Sequence, residues 1–128
     1  MKLDIKPLSL NQLYPSNRNG RRFLSKEGAI YKATIQSAVK SNLKLFPEKG
    51  YSLPLEFNLI VSGPYLTKQG AISKTAGDVD NAIKGILDAV CDELDINDAC
   101  VFRVSAEKKI AQEWSIEFYL CPILPVIH

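Results

Sequence analysis

Charged and apolar residues alternate along residues 3–8, Leu3-Asp4-Ile5-Lys6-Pro7-Leu8, and this period of two predicts a half-buried strand. Residues 11–25 break the pattern. Pro15, Asn17, Asn19 and Gly20 favour turns there, and Arg18, Arg21 and Arg22 make the connection strongly basic. Ser25 then has the chemistry to accept from the free amides of a helix start. The helix it opens is predicted over residues 26–46, where Ile30, Ile35, Ala38, Val39 and Leu43 recur near helical spacing and Lys32, Lys40 and Lys44 lie elsewhere around the cylinder. Pro47 and Gly50 stop it. Residues 54–62, Pro-Leu-Glu-Phe-Asn-Leu-Ile-Val-Ser, read as a strand that exits at Gly63-Pro64, and residues 64–77 read as a loop. A second helix is predicted over residues 79–94, followed by a closing pair of strands at residues 100–106 and 113–120. The order is that of an α/β or α+β chain without internal repeats. Its 128 residues are one compact domain's worth, so residues 1–128 are expected to form a single domain.

Charge divides this chain more sharply than its net +2 suggests. Residues 1–77 hold twelve Lys/Arg against four Asp/Glu, whereas residues 78–128 hold four against ten. A basic half is suited to a polyanion such as nucleic acid, because neutralising phosphates releases condensed counterions. An acidic half is suited to divalent cations. Uneven surface charge alone would look the same, so the motifs must decide.

Cys91, Cys100 and Cys121 are odd in number, lack Cys-x-x-Cys spacing and lie in mainly apolar sequence, which predicts reduced, mostly buried thiols. With His128 as the single histidine, they make a poor zinc set. The first residues lack the apolar run of a signal peptide, and no later stretch approaches a membrane span, so a soluble, intracellular protein without membrane partners is expected. No glycine-rich phosphate loop, nucleophile elbow or dinucleotide fingerprint is present, which leaves nucleotide hydrolysis and redox chemistry without support.

At about 100° of rotation per residue, Ile83, Ile86, Leu87, Val90 and Leu94 of the second helix fall on one core-facing stripe. Asp80, Lys84 and Cys91 lie along its flank. Asp88 and Asp92 lie farther round, where acidic residues on a helix meet solvent. Asp78 is placed as the helix cap or just before it, and capping would account for it. Capping does not account for Asp80 at the rim of the buried stripe with Lys84 at i+4, although such a pair is often only a surface ion pair.

The longer segment is more specific. Gly77-Asp78-Val79-Asp80-Asn81-Ala82-Ile83-Lys84, then Gly85-Ile86-Leu87-Asp88-Ala89, then Asn97-Asp98-Ala99-Cys100-Val101, resembles the signature of the RusA family of Holliday junction resolvases. That signature has an Asp-x-Asp-Asn-x-x-Lys run opening a helix and a turn ending in Asp before a strand. The resemblance extends to the amino end, through the Asn- and Arg-rich loop to Ser25-Lys26-Glu27-Gly28 and Tyr31, and covers most of the chain.

It implies a small mixed sheet of about four strands with two main helices, and a metal-dependent endonuclease that resolves four-way DNA junctions by paired cleavage in recombination or repair. By the same resemblance Asp78, Asp80 and Asp98 would bind Mg2+, with Mn2+ as a substitute, and Lys84 would assist catalysis. The partners implied are branched DNA and a second copy of the chain in a homodimer, in the cytoplasm of a bacterium or in a phage setting. Asp95 competes for the third ligand position, but the family's third Asp directly precedes a strand, as Asp98 does. With two carboxylates at a helix start and one after its end, the return strand should lie beside the helix amino end.

Hard Mg2+ prefers oxygen ligands and keeps waters, one of which can become the nucleophile, so phosphodiester cleavage has use for such a set. Lys84 would reduce repulsion among the carboxylates and could orient water or stabilise charge on the phosphate. Arg18, Arg21, Arg22, Lys68 and Lys74 occupy the two loops expected to flank the site and would grip phosphates, with Asn17 and Asn19 as backbone-bonding candidates or turn formers. One departure is visible: the arginine-dense stretch that can precede the Asp-x-Asp run is here Ser73-Lys74-Thr75-Ala76-Gly77, with a single positive charge. The apolar residues 121–127 would serve a dimer interface or pack on their own sheet. Two other readings are a branched-DNA-binding architectural protein of the same fold without cleavage, which the intact acidic triad opposes, and a small interaction module whose aspartates only cap and solvate.

Overall fold

The computed structural model describes residues 1–16 and 19–123. Asn17, Arg18 and the tail beyond Ile123 therefore lie outside the described residues. In chain order the elements are β1 (Lys2–Leu3), α1 (Leu10–Leu13), α2 (Lys26–Lys40), β2 (Leu55–Gly63), α3 (Asp80–Leu94), β3 (Val101–Ile110) and β4 (Ser115–Pro122). Short 3-10 turns occupy Leu43–Leu45 and Asp98–Cys100. The four strands form one mixed sheet in the order β1-β4-β2-β3. This is the α+β architecture expected from the sequence.

β2 is the axis of the sheet. It pairs in parallel with β3 from Leu55↔Val101 to Gly63↔Ile110 and antiparallel with β4 from Leu55↔Pro122 to Ser62↔Ser115. The closing strands thus flank β2 and do not pair with each other. Parallel strands need a crossover, and α3 supplies it between β2 and β3. Burial alternates strictly along β2, so Leu55, Phe57, Leu59 and Val61 enter the core while Glu56, Asn58, Ile60 and Ser62 remain half-buried. Ile35 and Val39 of α2, Ile86, Val90 and Leu94 of α3, and Ile116, Phe118 and Leu120 of β4 complete the same hydrophobic cluster.

The helices meet each other as well as the sheet. Lys32 Nζ lies 2.6 Å from Asp92 Oδ2, and Gln36 Nε2 donates to the Ala89 carbonyl at 3.2 Å. This second packing surface widens the buried face of α3 to include Ala82, Gly85 and Ala89, beyond the predicted stripe. At Gly85 the helix is tightly packed against α1: a Cβ there would lie 2.3 Å from Leu13 Cδ1.

Local signals account for the boundaries. Ser25 caps α2 as expected, accepting from Gly28 N at 2.9 Å. The helix stops at Lys40 rather than residue 46, because Asn42 folds back to donate to the Ala38 carbonyl at 2.8 Å and a 3-10 turn follows. α1 was not expected, though Ser9 and Gln12 form a reciprocal capping box that marks a helix start. The strand predicted over residues 3–8 shrinks to Lys2–Leu3, because β4 begins at Ser115 and offers partners only at Glu117 and Ile116. β3 instead outruns its predicted end: its pairing with β2 carries Glu107, Lys108 and Lys109, which read as loop by hydrophobicity. Most of β3 is exposed.

Tyr31 is buried in α2, and its hydroxyl has no hydrogen-bond partner among the described residues. Burial pushes the phenol up to about 12; the Leu8 backbone lies near enough to oppose that rise without meeting hydrogen-bond geometry. An unpaired buried hydroxyl costs about 1–3 kcal/mol. Tyr31→Phe is therefore expected to keep or raise the melting temperature, and a drop of several degrees in a thermal melt would show that the hydroxyl is satisfied.

Candidate active site

α3 opens on the acidic motif. Gly77 adopts φ +95°, a backbone region glycine enters freely, and the chain turns there into Asp78 and Val79. Val79 occupies the cap position and makes no side-chain capping bond, so Asp78 lies one residue before the cap and does not fill that role. Asp80 is the first residue of the helix, where a carboxylate interacts favourably with the helix dipole. Both carboxylates are exposed, and among the described residues neither has a hydrogen bond or ion pair.

Lys84 joins the motif to its distant part. Its Nζ lies 3.0 Å from Asp88 Oδ1 and 3.2 Å from Asp98 Oδ2, so one ammonium bridges an i+4 neighbour and a residue fourteen positions away. These two carboxylates, Asp88 first, raise the Lys84 pKa above its usual value and keep it cationic. Asp88, expected farther round toward solvent, has a side chain 29% exposed and belongs to this cluster. The i+4 spacing from Lys84 was the sequence signal for it. Asn97 shapes the turn that presents Asp98 by accepting from Ala99 N at 2.9 Å. Asp95, the competing candidate, instead ends α3 in the left-handed region at φ 53°. Asp98 thus comes to Lys84, whereas Asp95 serves the helix end.

Asp98 meets α3 in its second and third turns, not at its amino end. The reason is the parallel pairing: β3 starts level with Leu55, at the opposite end of β2 from Gly63, where the chain leaves for α3. Among the described residues, no three His, Cys, Asp or Glu side chains are grouped closely enough to hold a metal ion. In kind, however, Asp78, Asp80 and Asp98 fit a hard divalent cation, being all-oxygen, anionic and exposed.

The basic candidates divide between two loops. Arg21 and Arg22 are exposed in a loop closed by the Ser16↔Arg22 bridge, where Arg22 Nη2 donates to Asn11 Oδ1 at 3.4 Å. Lys68 and Lys74 are exposed in the segment after β2, which folds back on itself at Leu66↔Ile72 and leads directly into Asp78. Two further lysines escaped the sequence reading. Lys108 Nζ donates to the Gly77 carbonyl at 3.1 Å and lies 4.3 Å from the Tyr65 ring centroid, and Lys6 Nζ lies 5.3 Å from the Trp114 ring centroid. Both contacts join segments far apart in the chain, so no local spacing announced them.

The three thiols are free. Cys91 is buried, and burial first, then the negative charge of Asp98, pushes its thiol up to about 11. Cys121 is exposed on β4 rather than buried as expected, because it falls on the face turned away from the core. Iodoacetamide at neutral pH should therefore label Cys121 and spare Cys91 in the native protein; peptide mass mapping that finds Cys91 modified first would refute this. No helix among the described residues is long and apolar enough to cross a membrane.

The family model described as Endodeoxyribonuclease RusA matches the chain over residues 4–119. No curated protein matches it.

Proposed function

We propose a junction-cleaving activity from one premise: this chain belongs to the RusA family of endodeoxyribonucleases. Its reaction is then the hydrolysis of DNA phosphodiesters, and the substrate we infer is the four-way junction, cut in two symmetry-related strands to complete recombination or repair. The observation that carries this reading is the Lys84–Asp98 contact, which returns the far end of the acidic motif to the helix that Asp80 begins.

Asp78, Asp80 and Asp98 are the residues that would hold Mg2+, or Mn2+ in its place. When bound, such an ion supplies a Lewis acid for the phosphoryl oxygens and a water acidified toward hydroxide. Lys84 contributes a fixed positive charge. As a cation between two carboxylates it would orient the attacking water or stabilise negative charge developing on the phosphate. Asp98 is neutralised by Lys84 in the protein alone, which lowers the repulsion among the carboxylates before an ion arrives. Arg21, Arg22, Lys68 and Lys74 would hold the DNA backbone, with Asn19 as a further candidate, because phosphate contacts set register and orientation. A homodimer would present two such sites to the two strands of a symmetric junction.

The test is cleavage of a labelled four-way junction beside linear duplex, with Mg2+ or EDTA. Paired nicks near the crossover that require Mg2+ are expected. Binding of the junction without any cutting would favour the architectural reading, in which the fold holds branched DNA and leaves it intact.

A further inference from the structure

A pocket of about 270 Å³ opens where the end of β2, the entry to α3 and the segment before α1 meet. Its chemistry is mixed. Val61, Tyr65 and Ala82 form a buried floor, while Gln12, Thr75 and Asn81 bring polar groups to the wall. The Asn81 amide is exposed and makes no hydrogen bond among the described residues, and Gln12 uses its Oε1 to accept from Ser9 N at 2.9 Å, leaving its NH2 to donate. Side-chain amides of this kind can donate to and accept from the edge of a heterocycle.

Two cations stand beside this floor. Lys6 lines the pocket and lies over Trp114; Trp114 meets Tyr65 edge to face with ring centroids 5.3 Å apart; and Lys108 covers Tyr65 while donating to Gly77, a wall residue. Neither lysine has a carboxylate partner among the described residues. Held on aromatic rings and without a carboxylate partner, they are available to a mobile anion. Asp78 also lines the pocket, so whatever enters lies next to the acidic motif.

A flat polar heterocycle joined to a phosphate satisfies floor, amides and cations together. We propose that this pocket receives one unstacked base of the bound DNA, with an adjacent phosphate at Lys6, and thereby selects which phosphodiester is presented to Asp78 and Asp80. The proposal rests on the nuclease reading above and adds a determinant of where the cut falls. Extruding a base costs a few kcal/mol in intact duplex and least where stacking is already broken, as at a crossover.

The test uses four-way junctions carrying 2-aminopurine at successive positions beside the crossover, bound to the protein in EDTA. A severalfold rise in fluorescence at one position is expected. Ala76→Phe, which fills the pocket from its wall, should abolish that rise while gel-shift affinity stays within a few-fold, and in Mg2+ its cuts should spread over several phosphodiesters. Lys6→Gln changes an exposed residue and leaves the core alone, so it should lower the rise without loss of thermal stability. A wild-type protein that binds and cuts the junction with no rise at any position, or a rise that both variants preserve, overturns the pocket's role and leaves the nuclease reading standing. A wild-type protein that neither binds nor cuts removes the nuclease reading itself, and this proposal with it.

Discussion

Asp80→Asn is expected to lower junction cleavage by roughly a hundredfold to a thousandfold, the scale on which loss of one electrostatic stabiliser of a transition state is felt. The substitution keeps the side chain's shape and removes its charge. Asp80 is exposed and unpaired among the described residues, so the fold loses little beyond a favourable helix-dipole interaction, typically 0.3–1 kcal/mol. Affinity for the junction in EDTA should hold or rise slightly, because a negative charge facing phosphates is gone. The informative measurement is single-turnover cleavage beside a gel shift on the same preparation. Cleavage within a few-fold of wild type would remove Asp80 from the chemistry. Lys84→Met makes the companion case: it takes a charge from the phosphate and at the same time releases Asp88 and Asp98 from their common partner.

The largest effect on stability is expected at Gly63. A Cβ there would lie 2.3 Å from Trp114 Cε3 and 2.5 Å from Cζ3, so the indole rests directly on the glycine. The Gly63 carbonyl also accepts from Ala111 N and Tyr65 N, each at 2.9 Å, which ties both outgoing chains to the end of β2. Gly63→Val must displace the ring or the strand. Overpacking of this kind costs about 1–3 kcal/mol and occasionally more, and at this chain length a drop in melting temperature of on the order of 10 °C follows from the upper part of that range. Trp114 is the single tryptophan, so its emission reports the displacement directly. An unchanged melt with unchanged emission would mean the contact is looser than described.

Much of this was legible because short-range chemistry determines it. The period of α3, the alternation along β2 and the Ser25 cap each need only neighbours within a few residues. The acidic motif was legible because its parts keep order and spacing along the chain. What was hidden depends on partners distant in sequence. No local signal states that β2 comes between β3 and β4, or that β4 begins too late to extend β1. The width of α3's buried face reflects α2 and α1 packing against it, which turns Ala82, Gly85 and Ala89 from surface positions into contacts. Asp88 was misplaced for a related reason: a helical wheel shows direction, whereas the long Lys84 side chain decides which carboxylates it gathers.

The central place of β2 has a bearing on how the protein is made. Its neighbours on both sides, β3 and β4, are drawn from the last third of the chain, so during synthesis Phe57, Leu59 and Val61 emerge well before the strands that shelter them. Helices α2 and α3 can form early from local contacts, but β2 must wait for both of the strands that pair with it. The nascent chain is therefore most exposed to aggregation or chaperone capture in the interval before β4 appears, and damage to the β4 sequence would be felt first as poor recovery of folded protein rather than as altered catalysis.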